Sequence, residues 1–429
     1  MKKGLGTWSL VATTYFLVSG GPYGLEELVA KAGWSGAVIA LVATPVIWSL
    51  PTALLVGELA AALPLEGGYY AWVSRALGRF WGFQEAWLSL AASVFDMAIY
   101  PTIFTLYLGR AFPALAVGPW PTVLGVAMIA LCAAWNARGA RTVGGSAVVM
   151  TVLLLAPFAV LSVLAVTAPA GEPMPSPPAR EALLPGVLVA MWNNMGWDNA
   201  STIAGEVDDP QRTYPRAMIF AVALVAFTYV APVAALSRAG IDPTTIATGA
   251  WVDVAAKVGG PALGWAVTIG GVLCGLGMFN ALVLSYSRLP AVLATDGYLP
   301  AILGRRHRTT DAPVVSIVVC AIAWTMTLGL GFERLVEIDV VLYGISLVLE
   351  FVALIVLRFR EPELPRPFKL PGGVPVLVLM ALGPTSLLAF AMFDAVRSGH
   401  GHGLWIAAAA VALGPLVYAW RRPRAAATT

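Results

Sequence analysis

Carboxyl side chains inside long apolar segments are the residues of this sequence whose chemistry is most distinctive. Asp96 and Glu350 each lie near the middle of an apolar run, and Asp198 follows a polar interruption in another. A charged group costs about 2.5–3.5 kcal/mol or more at the centre of a membrane helix, so such residues are usually functional. No Lys or Arg stands at comparable depth to pair with them. A cationic amine or a transported proton would relieve that cost.

Each of these carboxyls also has a structural interpretation. Asp198 could cap the half-helix that follows it. Asp96 could accept a hydrogen bond from Tyr100 one turn on, and Glu350 could tie its helix to a neighbour. Two further acidic positions, Asp339 and Glu27, lie nearer the ends of their runs. Three glutamates fall at predicted helix ends, where pairing with loop residues is expected: Glu58, Glu85 and Glu206.

The composition places these carboxyls in a membrane. Of the 429 residues, 59% are hydrophobic and 11% are charged, whereas soluble domains are about 25% charged. A soluble fold could not bury so much apolar surface. Uninterrupted apolar runs of the length that spans a bilayer recur along the chain, and they lack the alternation of a β-barrel. The sequence therefore predicts an all-α polytopic membrane protein.

About twelve transmembrane helices are predicted. They fall approximately at 5–30, 35–62, 81–110, 120–137, 142–167, 184–205, 214–237, 261–290, 312–331, 335–358, 374–396 and 403–421. A short amphipathic segment, 69–77, follows the second helix, and a Pro-rich loop, 173–178, precedes the sixth. The first helix resembles a signal peptide but lacks a cleavage site, so we expect it to be retained.

The distribution of basic residues predicts the orientation. With the N-terminus inside, 18 of the 26 Lys and Arg fall in inner loops and 7 in outer loops. Positive charge favours the cytoplasmic side of a membrane. We therefore expect a multi-pass protein of the cell membrane with both termini cytoplasmic. The three cysteines lie in apolar runs without metal or disulfide spacing, which favours buried thiols.

Two predicted helices contain residues that break helical structure. The first reads Ser19-Gly20-Gly21-Pro22-Tyr23-Gly24, and the sixth reads Asn193-Asn194-Met195-Gly196-Trp197-Asp198. Irregular backbone at membrane depth is tolerated where it lines a cavity or is buried in protein. Paired breaks in corresponding positions of two halves point to the binding site of a secondary transporter.

The spacing of the breaks predicts an internal symmetry. Gly20 and Gly196 lie 176 residues apart, which is about five helices. Because five is odd, the two halves would run through the membrane in opposite directions. We predict a five-plus-five inverted repeat with discontinuous helices 1 and 6, comprising residues 1–167 (helices 1–5) and 184–358 (helices 6–10). Helices 11 and 12, in 374–421, would follow it.

Three segments near the ends of predicted helices have a distinctive composition. They are Glu58-Leu59-Ala60 with Pro64-Leu65-Glu66-Gly67-Gly68-Tyr69, Gly205-Glu206-Val207 with Pro210-Gln211-Arg212-Thr213-Tyr214-Pro215-Arg216-Ala217, and Arg358 with Pro362-Glu363-Leu364, Arg366-Pro367-Phe368-Lys369 and Pro371-Gly372. Together these segments resemble those of the amino acid–polyamine–organocation (APC) superfamily of transporters. The resemblance covers nearly the whole chain. It implies the inverted-repeat fold and transport of a small solute without a cofactor.

Within that superfamily the sequence resembles the polyamine-uptake subfamily of plants and protozoa, which is L-type amino acid transporter-like. The likeness rests on Ser19-Gly20-Gly21-Pro22-Tyr23-Gly24-Leu25-Glu26, Trp81-Gly82-Phe83-Gln84-Glu85, Asp96 with Tyr100-Pro101, and Leu342-Tyr343-Gly344 with Leu349-Glu350-Phe351. Asn280 stands where those transporters often carry a glutamate. One anionic anchor is therefore absent, which leaves both a polyamine and an amino acid open as the cargo.

These considerations give a set of candidate substrate-binding residues. They are Ser19, Gly20, Gly21, Tyr23, Glu26, Asp96, Tyr100, Trp192, Asn193, Trp197, Asp198, Asn280, Tyr343 and Glu350. The aromatic members would form walls that attract a cation. If the cargo also has a carboxylate, the N–H groups of residues 19–21 would meet it at the positive end of a half-helix.

The predicted coupling ion is the proton. Sodium-coupled relatives use a Ser/Thr pair midway along the eighth helix, but here that region, 273–279, contains no hydroxyl. The fifth helix has no Lys that could replace sodium, and the three histidines lie in loops. Candidate proton carriers are Asp198, Asp96 and Glu350. No metal site is predicted.

The leading interpretation is proton-coupled symport of an amine-bearing solute, a polyamine or an amino acid, by alternating access. The alternatives are an amino acid exchanger and a neutral amino acid permease. A sensor would usually need an added soluble domain, and an enzyme would need a catalytic arrangement that the sequence does not show, so neither is favoured. The expected partners are the amine, protons and the lipid bilayer, with no nucleic acid.

Overall fold

The computed structural model describes residues 5–169, 171, 179–397 and 402–421. The secondary structure in these ranges is helical, apart from one isolated bridge between Leu5 and Val207. The predicted Pro-rich loop at 173–178, the first two lysines and the arginines after residue 421 lie outside the described residues.

The helices follow the predicted spans closely. They are α1 (Thr7–Val18), α2 (Glu26–Thr44), α3 (Leu50–Ala62), α4 (Tyr69–Leu77), α5 (Arg79–Ala111), α6 (Trp120–Asn136), α7 (Ala140–Thr167), α8 (Ala179–Trp192), α9 (Pro210–Leu236), α10 (Trp251–Gly259), α11 (Pro261–Tyr286), α12 (Arg288–Thr295), α13 (Val314–Thr325), α14 (Phe332–Arg360), α15 (Gly373–Arg397) and α16 (His402–Arg421). A π-helical turn, Pro45–Ser49, joins α2 to α3, and the longest of the 3₁₀ segments is Asp198–Glu206.

Eight helical segments of the described chain are long and apolar enough to cross a membrane. They are Glu26–Ala62, Arg79–Ala111, Val148–Thr167, Pro210–Leu236, Pro261–Thr295, Phe332–Arg360, Gly373–Phe393 and Gly403–Arg421. Three shorter apolar helices, α1, α6 and α13, coincide with further predicted spans. This is a polytopic α-helical membrane protein, and the count of twelve spans stays a prediction.

The chain leaves helical geometry at both predicted breaks. After α1 ends at Val18, Gly21 and Gly24 have φ of 70° and 91°, and α2 begins at Glu26. After α8 ends at Trp192, Gly196 has φ of 92° and the 3₁₀ segment follows. Positive φ is accessible to Gly at little cost, so the glycines permit both interruptions. A further glycine, Gly33 with φ of 66°, bends α2 between the first and second predicted spans.

Helices α5, α11 and α14 form the centre of the bundle around the breaks. Helix α5 packs against both α11 and α14, and α11 also packs against α7. Glycines allow α11 to approach α5 closely, because a Cβ at Gly275 would lie 2.7 Å from the Tyr100 carbonyl oxygen and a Cβ at Gly271 would overlap the Tyr107 ring. Small residues at such contacts are typical of membrane helices.

A buried ion-pair network joins the end of α3 to α14 and to the loop that follows α14. Arg358 donates through Nε and Nη2 to the two carboxylate oxygens of Glu58, at 2.6 and 2.5 Å, and Arg366 lies 3.3 Å from the same carboxylate. The Leu370 N–H donates to Glu58 at 2.9 Å. The predicted pairing of Glu58 with a loop is confirmed, and Glu206 pairs with Arg288. For Glu85 the expectation is wrong, because it is fully buried and accepts a hydrogen bond from Ser346 of α14.

Candidate substrate site

A narrow cavity lies where the two interrupted helices meet α5, α11 and α14. Its volume is about 10 Å³, room for about one water molecule. The lining residues are Leu17, Val18, Asp96, Tyr100, Trp192, Met195, Gly196, Asn199, Tyr286, Asp339 and Tyr343. The end of α1 next to the first break and the residues of the second break therefore border one narrow space, and a solute larger than water needs side chains there to move.

Asp96 is the most extensively hydrogen-bonded carboxyl of the cavity. Tyr100 Oη donates to Asp96 Oδ1 at 2.7 Å, and Trp192 Nε1 points to the same oxygen from 3.5 Å. Tyr286 Oη lies 3.2 Å from Oδ2. The predicted Asp96–Tyr100 hydrogen bond is thus present. These donors fix the carboxyl so that it faces the cavity, which is compatible with a binding role as well as a structural one.

Asp339 supplies a second carboxyl to the same cavity. Its side chain is 2% exposed, and Oδ1 has no hydrogen-bond partner within the described residues. A buried polar atom without a partner is unfavourable, so this oxygen is available to a donor that enters the cavity. Asp339 lies one turn before Tyr343 on α14, which brings both side chains to one face of the helix.

Tyr343 joins the second break to Asp198. The Gly196 N–H donates to Tyr343 Oη at 3.0 Å, and the same hydroxyl donates to Asp198 Oδ1. Asp198 is 2% exposed and lies behind this tyrosine rather than on the cavity wall. The tyrosine hydroxyl therefore separates the cavity from a second group of carboxyls.

That second group contains Asp198, Glu350 and Glu85. Glu350 is 1% exposed, its Oε2 has no hydrogen-bond partner, and it lies within electrostatic reach of the other two carboxyls. Among the described residues, none of these three, nor Asp96 or Asp339, forms an ion pair with a basic side chain. A membrane-embedded carboxylate without a counter-charge is costly, so the site favours a cation or protons.

All five predicted residues of the first break, which are Ser19, Gly20, Gly21, Tyr23 and Glu26, lie outside the cavity wall. Ser19 Oγ accepts from the Gly21 N–H at 3.0 Å, and Gly20 packs against α11. Tyr23 donates to the Val267 carbonyl at 3.0 Å. Glu26 accepts from Tyr107 and from backbone N–H groups, so its contacts hold the break in shape.

The remaining predicted residues are also engaged in local contacts. Asn193 Nδ2 donates to the Val189 carbonyl at 2.8 Å, and Trp197 Nε1 donates to the Asn194 carbonyl at 2.9 Å. Asn280 accepts from Asn136 of α6 at 2.8 Å and is absent from the cavity wall. Asn280, which stands where the polyamine-uptake subfamily often has a glutamate, therefore faces α6 and not the cavity.

Sequence reasoning missed several cavity residues. Leu17, Val18 and Met195 are apolar and carry no chemical signal, while Tyr286 and Asn199 depend on how their segments are rotated. Asp339 could have been found, because it lies four residues before Tyr343, a spacing that shares a helix face. Its position near a predicted helix end concealed its depth.

The profile of the family described as "Amino acid permease" matches residues 5–414. The chain belongs to the amino acid permease family. Its place in the APC superfamily is with the polyamine transporters, as the sequence resemblance predicted.

Relatives of this permease cover most of its length. It is 34% identical to polyamine transporter RMV1 of Arabidopsis thaliana over 89% of this chain and 79% of that one. It is 35% identical to polyamine transporter PUT1 of Oryza sativa subsp. japonica, over 89% of this chain and 72% of the relative. A more distant relative is the Asc-type amino acid transporter 1 of Mus musculus, 27% identical over 76% of this chain and 64% of that protein.

Proposed function

We propose that this permease carries an amine-bearing solute, and that the amine binds in the cavity beside both helix breaks. The observation that supports this most strongly is the pair of buried carboxyls, Asp96 and Asp339, on the wall of one cavity, neither of which has a basic partner among the described residues. The names of the relatives, which are polyamine and amino acid transporters, agree with such a cargo.

The surroundings of the carboxyls suit an ammonium group. Tyr100 and Trp192 face each other with ring centroids 6.3 Å apart, and Tyr343 stands on the opposite helix. Aromatic faces attract cations by about 0.5–1 kcal/mol at exposed sites and by about 2 kcal/mol or more when desolvated. An ammonium between these rings would reach the free Oδ1 of Asp339, while Asp96 would supply a second acceptor.

The first break favours a polyamine over an amino acid. A substrate carboxylate would need free N–H groups at residues 19–21. The Ser19 N–H donates to the Tyr15 carbonyl at 2.6 Å, and the Gly21 N–H donates to Ser19 Oγ at 3.0 Å. Because Pro22 has no N–H, few donors remain for a carboxylate there. An amino acid remains the alternative cargo, supported by the similarity to an amino acid transporter.

Transport would follow from alternating access in a twelve-span protein. The proposed architecture is the inverted repeat of 1–167 and 184–358 with 374–421 added, and with both termini cytoplasmic. The end of α1 next to the first break and the residues of the second break border the cavity, as expected if one half rocks against the other around a fixed site. The small cavity volume implies that substrate binds only after such a movement.

The proposed coupling ion is the proton, carried by Asp96, Asp198 or Glu350. These carboxyls are buried and have no basic partner in the part of the chain that the structure describes, so an ammonium and a proton are alternative ways to neutralise them. Exchange of one amine for another is the competing mode. Uptake that follows a sodium gradient at constant pH would contradict proton coupling.

The cargo is tested by counterflow into proteoliposomes loaded with putrescine, spermidine, arginine or alanine, with thermal stabilisation of the detergent-purified protein as a second readout. We expect putrescine or spermidine to support counterflow and raise the melting temperature, and alanine to do neither. Counterflow with alanine alone would replace this proposal with a neutral amino acid permease. If none of the four exchanges or stabilises, the proposed amine cargo is wrong.

A further inference from the structure

A row of polar side chains, here called the seam, runs between α5 and α14. It extends from the cavity to the second group of carboxyls, which are Asp198, Glu350 and Glu85. On α5, Glu85, Ser89 and Asp96 are separated by four and then seven residues, so they share one helix face. On α14 the equivalent face carries, in order, Asp339, Tyr343, Ser346 and Glu350. In both helices the terminal carboxyls are eleven residues apart, which is about 16 Å of helix.

The two faces oppose each other in reverse order. Asp96 and Asp339 both line the cavity. Eleven residues away, Glu85 accepts a hydrogen bond from Ser346, and the Ser346 and Ser89 hydroxyls lie 3.1 Å apart. The seam therefore has a pair of carboxyls at each end. The hydroxyls of Ser89, Ser346 and Tyr343 lie between them, and the Asp198 carboxyl lies beside Tyr343.

Several buried polar atoms of the described residues lack a hydrogen-bond partner at the end of the seam that is distant from the cavity. Glu85 Oε2 and Glu350 Oε2 have no hydrogen-bond partner among the described residues, although both side chains are at most 1% exposed. The Tyr69 hydroxyl of α4, fully buried, is also without one and lies within electrostatic reach of Glu85, Glu350 and Asp198. Native proteins rarely leave such groups unsatisfied.

Among the residues that the structure describes, the titratable groups that face Glu85 and Glu350 are Tyr69 from α4, Asp198 from the 3₁₀ segment and Tyr343 from α14 itself. None of these is basic. Neighbouring carboxyls without a counter-charge repel each other when all are ionised, and they release protons as a coupled set. Such a set can hold a mobile proton. An ammonium is a less suitable occupant, because the cavity ends at Tyr343.

We propose that the α5–α14 seam is the path by which the coupling proton leaves the substrate cavity, and that Glu85 is its terminal acceptor. A proton enters on Asp96 or Asp339 and passes through Tyr343 to Asp198. It continues through Glu350 to Glu85. Each hydroxyl on the path accepts one proton and releases its own, so one proton moves and no bond order or oxidation state changes.

This inference rests on the proposed proton coupling and adds a residue to it. Glu85 lies near the end of the second turn of α5, six residues or about 9 Å after Arg79, where the helix begins. It lies on the side that the orientation prediction assigns to the cytoplasm. Glu85 does not line the cavity, so we assign it to proton release and not to substrate binding.

The experiment compares two readouts of the same proteoliposomes: counterflow of labelled spermidine without a pH gradient, and its accumulation driven by an inward proton gradient. Glu85→Gln should keep counterflow and lose proton-driven accumulation. Glu85→Asp, which retains a carboxyl, should restore accumulation at least in part. Glu363→Gln, an exposed carboxyl on the loop after α14, is the control that should leave both readouts unchanged.

Ser346→Ala is the second variant, since it removes the hydroxyl that donates to Glu85. It should slow accumulation and leave counterflow intact. If folded Glu85→Gln accumulated spermidine at the wild-type level, the seam would not be the proton path, and the proposed function would be unaffected. Equal loss of both readouts in Glu85→Gln and Ser346→Ala would also overturn it, in favour of a structural role. If the wild type exchanges but never accumulates, proton coupling itself fails.

Discussion

At the scale of single residues, Tyr343 connects the parts of the site. Its hydroxyl accepts a hydrogen bond from the Gly196 N–H of the second break and donates one to Asp198, while the residue forms part of the cavity wall. The sequence indicated this tyrosine only as an aromatic wall. The hydrogen bonds depend on how far the broken segment unwinds, which no periodicity in the sequence encodes.

Removing that hydroxyl should impair transport more than stability. Tyr343→Phe leaves the ring and removes one acceptor and one donor, so the buried Gly196 N–H and Asp198 lose a partner at a cost of about 1–3 kcal/mol. We expect a lower melting temperature with a folded protein, and spermidine counterflow reduced well beyond the loss of stability. Counterflow equal to the wild type would show that the hydroxyl plays no part in the transport cycle.

Asp198 gives a second prediction at this scale. Asp198→Asn keeps the shape and the acceptor for Tyr343 but removes the ionisable group, so uptake should be abolished while the protein stays folded. Size-exclusion behaviour and the melting temperature report on folding, and radiolabelled uptake reports on function. If transport were undiminished, we would conclude that Asp198 only caps the half-helix that follows it.

At the scale of elements, the breaks were readable from sequence and their contacts were not. Runs of Gly, Pro and Asn predict interruption because they weaken helical hydrogen bonding. The choice of which side chains then face the cavity was less predictable. Asp96, Tyr100, Trp192 and Tyr343 line the cavity, whereas Asn280 accepts a hydrogen bond from Asn136 and Glu26 accepts from backbone N–H groups.

Gly196 tests whether the second break requires close packing. Its φ of 92° is strained for other residues, and an added Cβ would overlap the Leu17 carbonyl oxygen. Gly196→Ala should therefore cost more than the about 1–3 kcal/mol of backbone strain alone. Gly260→Ala is the matched control, because its φ is 82° but a Cβ there meets nothing within 4 Å. Equal falls in melting temperature would refute the close-packing argument.

The Glu58 network makes a prediction about stability. Removing one partner of a buried ion pair costs about 3–5 kcal/mol, because the other charge stays buried. Glu58→Ala leaves Arg358, 6% exposed, without its carboxylate, so the melting temperature should fall strongly. In the exposed Arg75–Glu361 pair, the guanidinium lowers the pKa of Glu361, and exposed pairs are worth about 0–1 kcal/mol. If Glu361→Ala destabilised as much as Glu58→Ala, burial would not be the deciding factor.

At the scale of the whole molecule, composition predicted a helical membrane protein, and the structure has that character. Helix length alone identifies eight crossing segments in the described chain, because α1, α6 and α13 have at most 17 residues. Of these three helices, only α1 is shortened by a break next to the site. The sequence-based hydropathy runs pass through such breaks, and the twelve-span prediction follows from them.

Orientation can be tested by labelling. The three native cysteines are buried, so an impermeant thiol reagent should report on introduced ones. We expect Ala114→Cys, in the exposed loop after α5, to be labelled from outside intact cells. Glu363→Cys should be labelled only after permeabilisation. The opposite pattern would invert the proposed topology, and external labelling at both positions would rule out an odd number of crossings between them.

In the proposed transport cycle, protons drive an amine through the cavity lined by Asp96 and Asp339. The most direct measurement is accumulation of labelled spermidine and putrescine in proteoliposomes with an acidic exterior and no sodium. We predict that at least one amine concentrates above its external level, that a protonophore releases it, and that Asp198→Asn prevents it. Equilibration without accumulation, or accumulation that requires a sodium gradient at constant pH, would contradict proton-driven transport of an amine.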